Sequence, residues 1–136
     1  MSQQNSIPSL WPAGIRPDVL TPEAILTRQV AALEELTKGT LTAEIEKGTT
    51  ADGAPMLWFT VKAPAIRYTV RIFVVKSLNK QLPFPVEVSG GGAATKQCST
   101  DQDFTAAVAS ILQSAPTKST VLAMIAKSNE AQPPSP

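Results

Sequence analysis

A chain of 136 residues, 43% of them hydrophobic, is long enough for one compact domain and too short for two ordinary ones. Its 12 basic and 11 acidic residues give a formal net charge of +1, which lacks the strong positive field of most proteins that bind nucleic acid or anionic membranes. The chain contains no histidine, the commonest general base and metal ligand, so we expect no enzymatic activity, no cofactor and no metal site.

The first predicted segment is an extended, proline-rich arm, residues 1–20. Pro8, Pro12 and Pro17 are incompatible with a regular helix. Leu10 and Trp11 stand between these prolines, and we expect them to pack back on the domain, because an isolated exposed tryptophan is unusual. The beginning of the arm has neither the basic region nor the apolar run of a signal peptide, and no stretch reaches the ~18 apolar residues of a membrane span. We therefore expect a cytoplasmic protein without a membrane partner.

A first helix is predicted from residue 22, because Thr21-Pro22-Glu23 combines an N-cap, a proline at the first helical position and an acidic first turn. Its apolar residues recur at helical spacing, and Gly39 provides a stop signal. The stripe expected to pack on a sheet consists of Ile25, Leu26, Val30, Leu33 and Leu36. A strand over 40–47 follows, in which alternate residues are apolar.

Two apolar strands, 56–61 and 68–75, form the centre of the predicted sheet. A short loop from Pro64 to Arg67 makes them a hairpin with Ala63 opposite Tyr68, Phe59 opposite Ile72 and Leu57 opposite Val74. On the reverse face, this register places Trp58 opposite Phe73, Met56 opposite Val75 and Thr60 opposite Arg71. The sequence thus predicts an apolar cluster on the face that the helices leave open, and the expected partner-binding residues are Met56, Trp58, Phe73, Val75 and Arg71.

The second half of the chain is predicted to hold one more strand and two helices. The strand covers 82–88, where two prolines favour a sheet edge, and the glycine-rich stretch 89–96 is interpreted as a flexible linker rather than a phosphate cradle. A helix start at 99–103 introduces a second helix, Pro116-Thr117 breaks it, and a third helix ends near Ser128. The apolar stripe of the second helix consists of Phe104, Ala107, Val108, Ile111 and Leu112.

The predicted fold class is α+β: an N-terminal helix, a four-stranded antiparallel meander and two C-terminal helices packed on one face of the sheet. The predicted divisions are an arm of 1–20, a single domain of 21–128 and a disordered tail of 129–136.

Two motifs invite comparison with known families. An edge strand with prolines followed by Cys98 resembles ubiquitin-conjugating enzymes, but the His-Pro-Asn segment beside their cysteine is missing, so we interpret Cys98 as an inert thiol. As the only cysteine it cannot form an internal disulfide, which suits a reducing compartment.

The order helix, three strands, helix is similar to that of double-stranded RNA-binding domains. However, those domains carry lysines at the start of the final helix, where this chain has Thr100-Asp101-Gln102-Asp103.

The favoured function is a non-enzymatic protein-interaction module, chaperone-like or immunity-type, that uses the sheet face around Trp58 and Phe73. Its expected partner is another protein or a second copy of the chain. Two alternatives stay open: a small-ligand-binding domain with a pocket between helix and sheet, and an RNA-binding domain. Nucleic acid is the less favoured partner because of the balanced charge.

Overall fold

Periodic and alternating apolar residues produce an α+β fold with an antiparallel sheet in the computed structural model, which describes residues 8–90 and 93–131. In chain order the elements are α1 (Pro22–Leu36), β1 (Thr42–Thr49), β2 (Pro55–Ala63), a 3₁₀ turn (Pro64–Ile66), β3 (Tyr68–Ser77), β4 (Val86–Gly90), β5 (Ala93–Cys98), α2 (Asp101–Leu112) and α3 (Ala115–Ala131). The strands lie in the order β1-β2-β3-β4-β5, each antiparallel to its neighbours. The predicted meander is confirmed in class and direction, but it has five strands rather than four.

The missed strand, β5, lies where the sequence predicted a flexible linker. It pairs with β4 from Val86 opposite Cys98 to Gly90 opposite Ala93, so the linker prediction for 89–96 is wrong. Gly90 explains the error: its φ is +151°, and a Cβ there would lie 2.5 Å from the carbonyl oxygen of Ile72 on β3. Glycine at this position therefore permits close approach of two strands rather than a break in the sheet. Residues 91 and 92 of the same stretch lie outside the described residues.

The fourth strand also differs from its prediction. β4 begins at Val86, so Pro83 and Pro85 precede the strand instead of lying within it. Since β5 pairs with its outer side, β4 is an internal strand and β5 forms the edge. The prolines thus lie before the ladder, where they remove no hydrogen bond from it.

The pairing of β2 with β3 changes register in the middle of the hairpin. Near the turn, Ala63 lies opposite Tyr68 and Thr60 opposite Arg71, as predicted. A β-bulge then shifts the pairing by one residue between Phe59 and Thr60. Beyond the bulge the partners are Phe59 with Phe73, Trp58 with Val74, Leu57 with Val75 and Met56 with Lys76, so the predicted register is wrong in this half.

The bulge transfers two predicted surface residues to the core. One extra residue in β3 reverses which side the following residues face. Phe73 and Val75 therefore lie under the helices, with 3% and 2% of their surface exposed. The ring of Phe73 stacks on that of Phe59 at a centroid distance of 5.2 Å. The prediction that Phe73 and Val75 belong to the open face is wrong for this reason.

The helices cover the face of the sheet that carries Phe59 and Phe73. α1 packs on β1, α2 on β4 and β5, and α3 on the 3₁₀ turn and β2. The predicted N-cap Thr21 is confirmed, since its hydroxyl accepts from the Ala24 amide. The predicted helix start at 99–103 is also confirmed, and its cap is Thr100, whose hydroxyl accepts from the Asp103 amide. α3 is longer than predicted: it extends to Ala131, and Pro116 stands in its first turn rather than between helices.

Among its described residues, the arm is held to the domain by hydrogen bonds to Asp101 and by Leu20, which packs against the core. Both carboxylate oxygens of Asp101, the first residue of α2, accept from Arg16 Nη2 at 2.7 Å, and Oδ2 also accepts from the Leu20 amide at 3.2 Å. Ahead of this anchor, Leu10 and Trp11 expose 86% and 76% of their surface. The prediction that they pack on the domain is therefore wrong.

The anchor makes stability depend on pH. Hydrogen bonds from Arg16, and then from the Leu20 amide, hold the pKa of the buried Asp101 below its ordinary value of about 3.9. A lowered pKa stabilises the fold above that value, and the contribution is lost as the pH falls through the folded-state pKa. Asp101→Asn should therefore lower the free energy of unfolding in urea at pH 7, with a gap to the wild type that closes below about pH 4.

The matched control is Asp18→Asn, because the exposed Asp18 carboxylate bonds the same guanidinium at 3.2 Å without being buried. It should change stability little. Hydrogen exchange at the Leu20 amide should accelerate in Asp101→Asn and not in the control. Parallel stability curves for wild type and Asp101→Asn between pH 3 and 7 would refute the anchor.

Candidate functional site

The molecule has two candidate binding surfaces, and the first is the outer face, the side of the sheet away from the helices. Trp58 lies at its centre, on β2. The ring lies over Gly48, where a Cβ would come within 2.8 Å of it. The guanidinium carbon of Arg71 lies 4.6 Å from the ring centroid, a cation–π distance. Glycine below and arginine above therefore enclose the Trp58 ring.

A carboxylate organises the polar part of this cluster. Glu46 Oε1 accepts from the Thr60 hydroxyl at 2.7 Å and from Arg71 Nε at 3.2 Å. The Thr60 bond first, and then Arg71, hold the pKa of Glu46 below its ordinary value. Lys62 is paired in the same way, with Glu44 at 2.6 Å. β1 therefore pairs both Lys62 and Arg71 with acids, which reduces the free positive charge that this part of the outer face could offer to a nucleic-acid backbone.

The five predicted partner-binding residues are divided between the two sides of the sheet. Met56, Trp58 and Arg71 lie on the outer face, and Phe73 and Val75 lie in the core. Met56 and Trp58 are half-buried rather than exposed. Val74, opposite Trp58, takes a place on this face, so the apolar cluster consists of Met56, Trp58 and Val74 instead of the four predicted residues, and Arg71 covers part of it.

The second surface is a groove of about 840 Å³ on the helical side. Its floor is formed by Phe59, Val61 and Ile72, and α1 and α3 provide walls. The apolar wall residues are Ala32, Leu33, Leu36, Leu112, Val121, Leu122 and Ile125. Leu36 and Leu122 expose 82% and 53% of their surface at this groove, so its rim is apolar as well.

The ends of α1 and α2 explain why the groove stays open. α1 terminates at Leu36, after which Lys38 and Gly39 both adopt positive φ and direct the chain into β1. At the other side only Gln113 and Ser114 separate α2 from α3, and the Ser114 hydroxyl donates to the Ile111 carbonyl oxygen at 2.7 Å. α3 then packs on the 3₁₀ turn and buries Met124. The side of α3 that carries Val121 faces the groove.

The charged residues that line the groove are both basic. Lys38 follows α1 and Lys118 lies in the first turns of α3, and none of the described lining residues is acidic. The remaining polar lining is made of amides and hydroxyls: Gln29, Thr37, Thr40, Gln113, Thr117 and Asn129. An apolar floor with a few polar groups and two cations at its border suits binding rather than acid–base chemistry.

The sequence left a pocket between helix and sheet open as an alternative, but it did not indicate which residues would line one. Leu33, Leu36 and Leu112 were expected to pack against other elements because of their helical spacing. One signal was present: α3 has apolar residues at 121, 122, 124 and 125, which are too widely spread around a helix to face one neighbour.

The described residues with potential catalytic or metal-binding chemistry are not arranged as a reactive site. Cys98 is 2% exposed, and burial raises the pKa of its thiol, the opposite of what a nucleophile requires. In 8–90 and 93–131, no group of three or more histidine, cysteine, aspartate or glutamate side chains is arranged to hold a metal ion. Within the same residues, no helix has the length and apolar character needed to cross a bilayer.

Comparisons of the chain with models of protein families, with curated proteins and with solved structures found no match. Function must therefore be inferred from the two surfaces. The groove is the stronger candidate, because its rim leucines Leu36 and Leu122 are exposed, whereas the apolar side chains of the outer face are half-buried around Trp58.

Trp58→Ala tests the assignment of the outer face as structure rather than site. Loss of the half-buried ring should lower the free energy of unfolding by about 2 kcal/mol, roughly half the cost of deleting a fully buried tryptophan. Trp58→Phe keeps an aromatic ring over Gly48 and should cost less than half as much. Urea unfolding measures both. Unchanged stability together with loss of a partner or of oligomer mass would instead identify Trp58 as an interface residue.

Proposed function

We propose that this protein is a non-enzymatic interaction module that binds an apolar segment of a protein in the groove between α1 and α3. The observation that carries the proposal is the groove itself: about 840 Å³ bordered by exposed leucines, on a chain with little apolar surface on its outer face. Exposed contiguous apolar surface of this kind is typical of interaction sites.

The composition of the groove supports binding of a side chain or short helix. Phe59 and Ile72 offer a floor, and Leu36 and Leu122 stand on the border, which is the arrangement of a buried centre with an apolar rim. An amphipathic helix presents anchors at i, i+3 or i+4 and i+7, and such anchors fit an elongated groove between two helices. The described lining residues hold no carboxylate, thiol or imidazole, so no acid–base pair is assembled there.

Peptide selection tests the proposal directly. Peptides selected on the wild-type protein from a random library should carry apolar residues at helical spacing, and Leu122→Glu should weaken their binding at least ~10-fold, because a charge would enter an apolar contact. Binding should persist from about 0.1 to about 1 M salt, whereas RNA binding would collapse over this range.

The matched control is Leu82→Glu. Leu82 is also an exposed leucine, 58% accessible, but it lies in the connection between β3 and β4 and does not line the groove. Peptide binding that tolerates Leu122→Glu and responds to Trp58→Ala would transfer the proposed function to the outer face.

A second candidate function is favoured by the two lysines. Lys38 and Lys118 border an apolar volume within the ~300–1,000 Å³ range of small-molecule pockets, so a small anionic amphiphile would place its tail on Phe59 and its head between the cations. α3 adds to this preference, because the positive end of its dipole lies near Lys118.

Calorimetry with decanoate and with decanol separates this candidate from the first. If the lysines select an acid, decanoate should bind one to one, and the double variant Lys38→Gln/Lys118→Gln should weaken it by about 5-fold while decanol is unaffected. Lys76→Gln on the exposed end of β3 is the control and should change neither ligand. If the double variant lost affinity for decanoate and decanol equally, the result would contradict a role for the lysine charges.

A further inference from the structure

We propose that the groove of one copy binds the arm of a second copy, with Trp11 as the anchor, and that the exchange is reciprocal. The proposal rests on the proposed function, because it names the protein segment that the groove takes. It connects two exposed apolar features of one chain. One is the groove, and the other is the run of large apolar residues in the described part of the arm.

The arm resembles a peptide ligand in its composition. Leu10, Trp11, Ile15 and Val19 expose between 52% and 86% of their surface. Residues 8–15 carry no charged side chain, which matches the uncharged floor of the groove. Pro8 and Pro12 flank the anchor and restrict the free arm, so less conformational entropy is lost when it binds.

The anchor at Asp101 restrains the arm beside the start of α2, and the arm does not occupy the groove of its own chain. The groove is lined at the far end of α2, by Leu112 and Gln113, which an 11-residue separation places ~17 Å from Asp101. Trp11 lies five residues from Arg16 and reaches at most ~17 Å if those residues are fully extended. They are not extended, because the chain turns at Ala13–Gly14, where the φ of Gly14 is +99°. In this conformation Trp11 exposes 76% of its surface and does not line the groove of its own chain.

A second copy removes this restriction and gives a closed assembly. Each chain has one arm and one groove, so reciprocal exchange satisfies both sites of both copies in a two-fold dimer. A buried tryptophan contributes ~150–250 Å² on the arm side alone. Two arms, their neighbouring residues and two grooves bury on the order of 1,200 Å², the lower limit of a specific interface.

The first measurement combines the fluorescence of Trp11 with the mass of the protein in solution. Trp11 and Trp58 are the two tryptophans of the chain, so Trp58→Phe leaves Trp11 as the sole fluorophore of its kind. With rising concentration, light scattering should report a change from monomer to dimer mass. Over the same range the Trp11 emission should shift to shorter wavelength and become protected from acrylamide quenching.

Two further variants in the Trp58→Phe background test the pairing of arm with groove. Leu122→Glu blocks the groove, and Trp11→Ala removes the anchor, so each should raise the dimer dissociation constant at least ~10-fold. Mixed together, they should form a one-to-one complex through the intact arm of the first and the intact groove of the second. Leu82→Glu should leave the dimer unchanged. Circular dichroism verifies that each variant is folded.

Each other outcome overturns the exchange. A monomer mass at all concentrations with quenchable Trp11 rejects it, as does a monomer in which Trp11 is protected, since the arm then occupies its own groove. A dimer that survives both Leu122→Glu and Trp11→Ala uses a different surface. If the exchange fails and selected peptides still bind in a Leu122-dependent way, the proposed function stands without it; if both fail, the groove is not a protein-binding site.

Discussion

The single-residue bulge between Phe59 and Thr60 decides which side of the sheet becomes core and which side meets solvent. By admitting one extra residue in β3, it allows Ile72, Phe73 and Val75 all to lie on the helical side, although strict alternation would separate them. The stacked Phe59 and Phe73 rings, the groove floor at Ile72 and the reduced apolar content of the outer face all follow from it. Both candidate surfaces therefore depend on one irregularity in one strand.

Much of the fold could be predicted because its signals are local. Thr21 and Thr100 mark helix starts through a bond to an amide three residues on, and alternation marks β1 without any knowledge of its partner. The register of β2 and β3 near their turn could also be predicted, since the short connection between these strands restricts it. The bulge could not be predicted, because four consecutive residues of β3 are apolar and could lie on either face of the sheet. These residues are Ile72, Phe73, Val74 and Val75.

The candidate site could not be predicted, because it depends on the distance between elements rather than on their faces. A helical stripe shows that Leu33 or Val121 avoids water, but it does not show whether the neighbouring helix is close enough to cover it. That distance is set by the positive φ values at Lys38 and Gly39 and by the brief connection from α2 to α3. The same reasoning applies to β5: Gly90 before it has low strand propensity, and its place in the sheet depends on a close approach to β3 that leaves no room for a Cβ.

The ion pair between Arg16 and Asp101 has a consequence for how the proposed dimer would come apart. It fixes one end of the flexible segment, so Trp11 explores a small volume around the start of α2 instead of the surrounding solution. When one arm is seated, the other is confined near its own target at an effective concentration in the millimolar range. A single arm that escapes would be recaptured before its counterpart leaves. Dissociation would then require both contacts to open together, which makes the lifetime of the pair much longer than that of either contact alone.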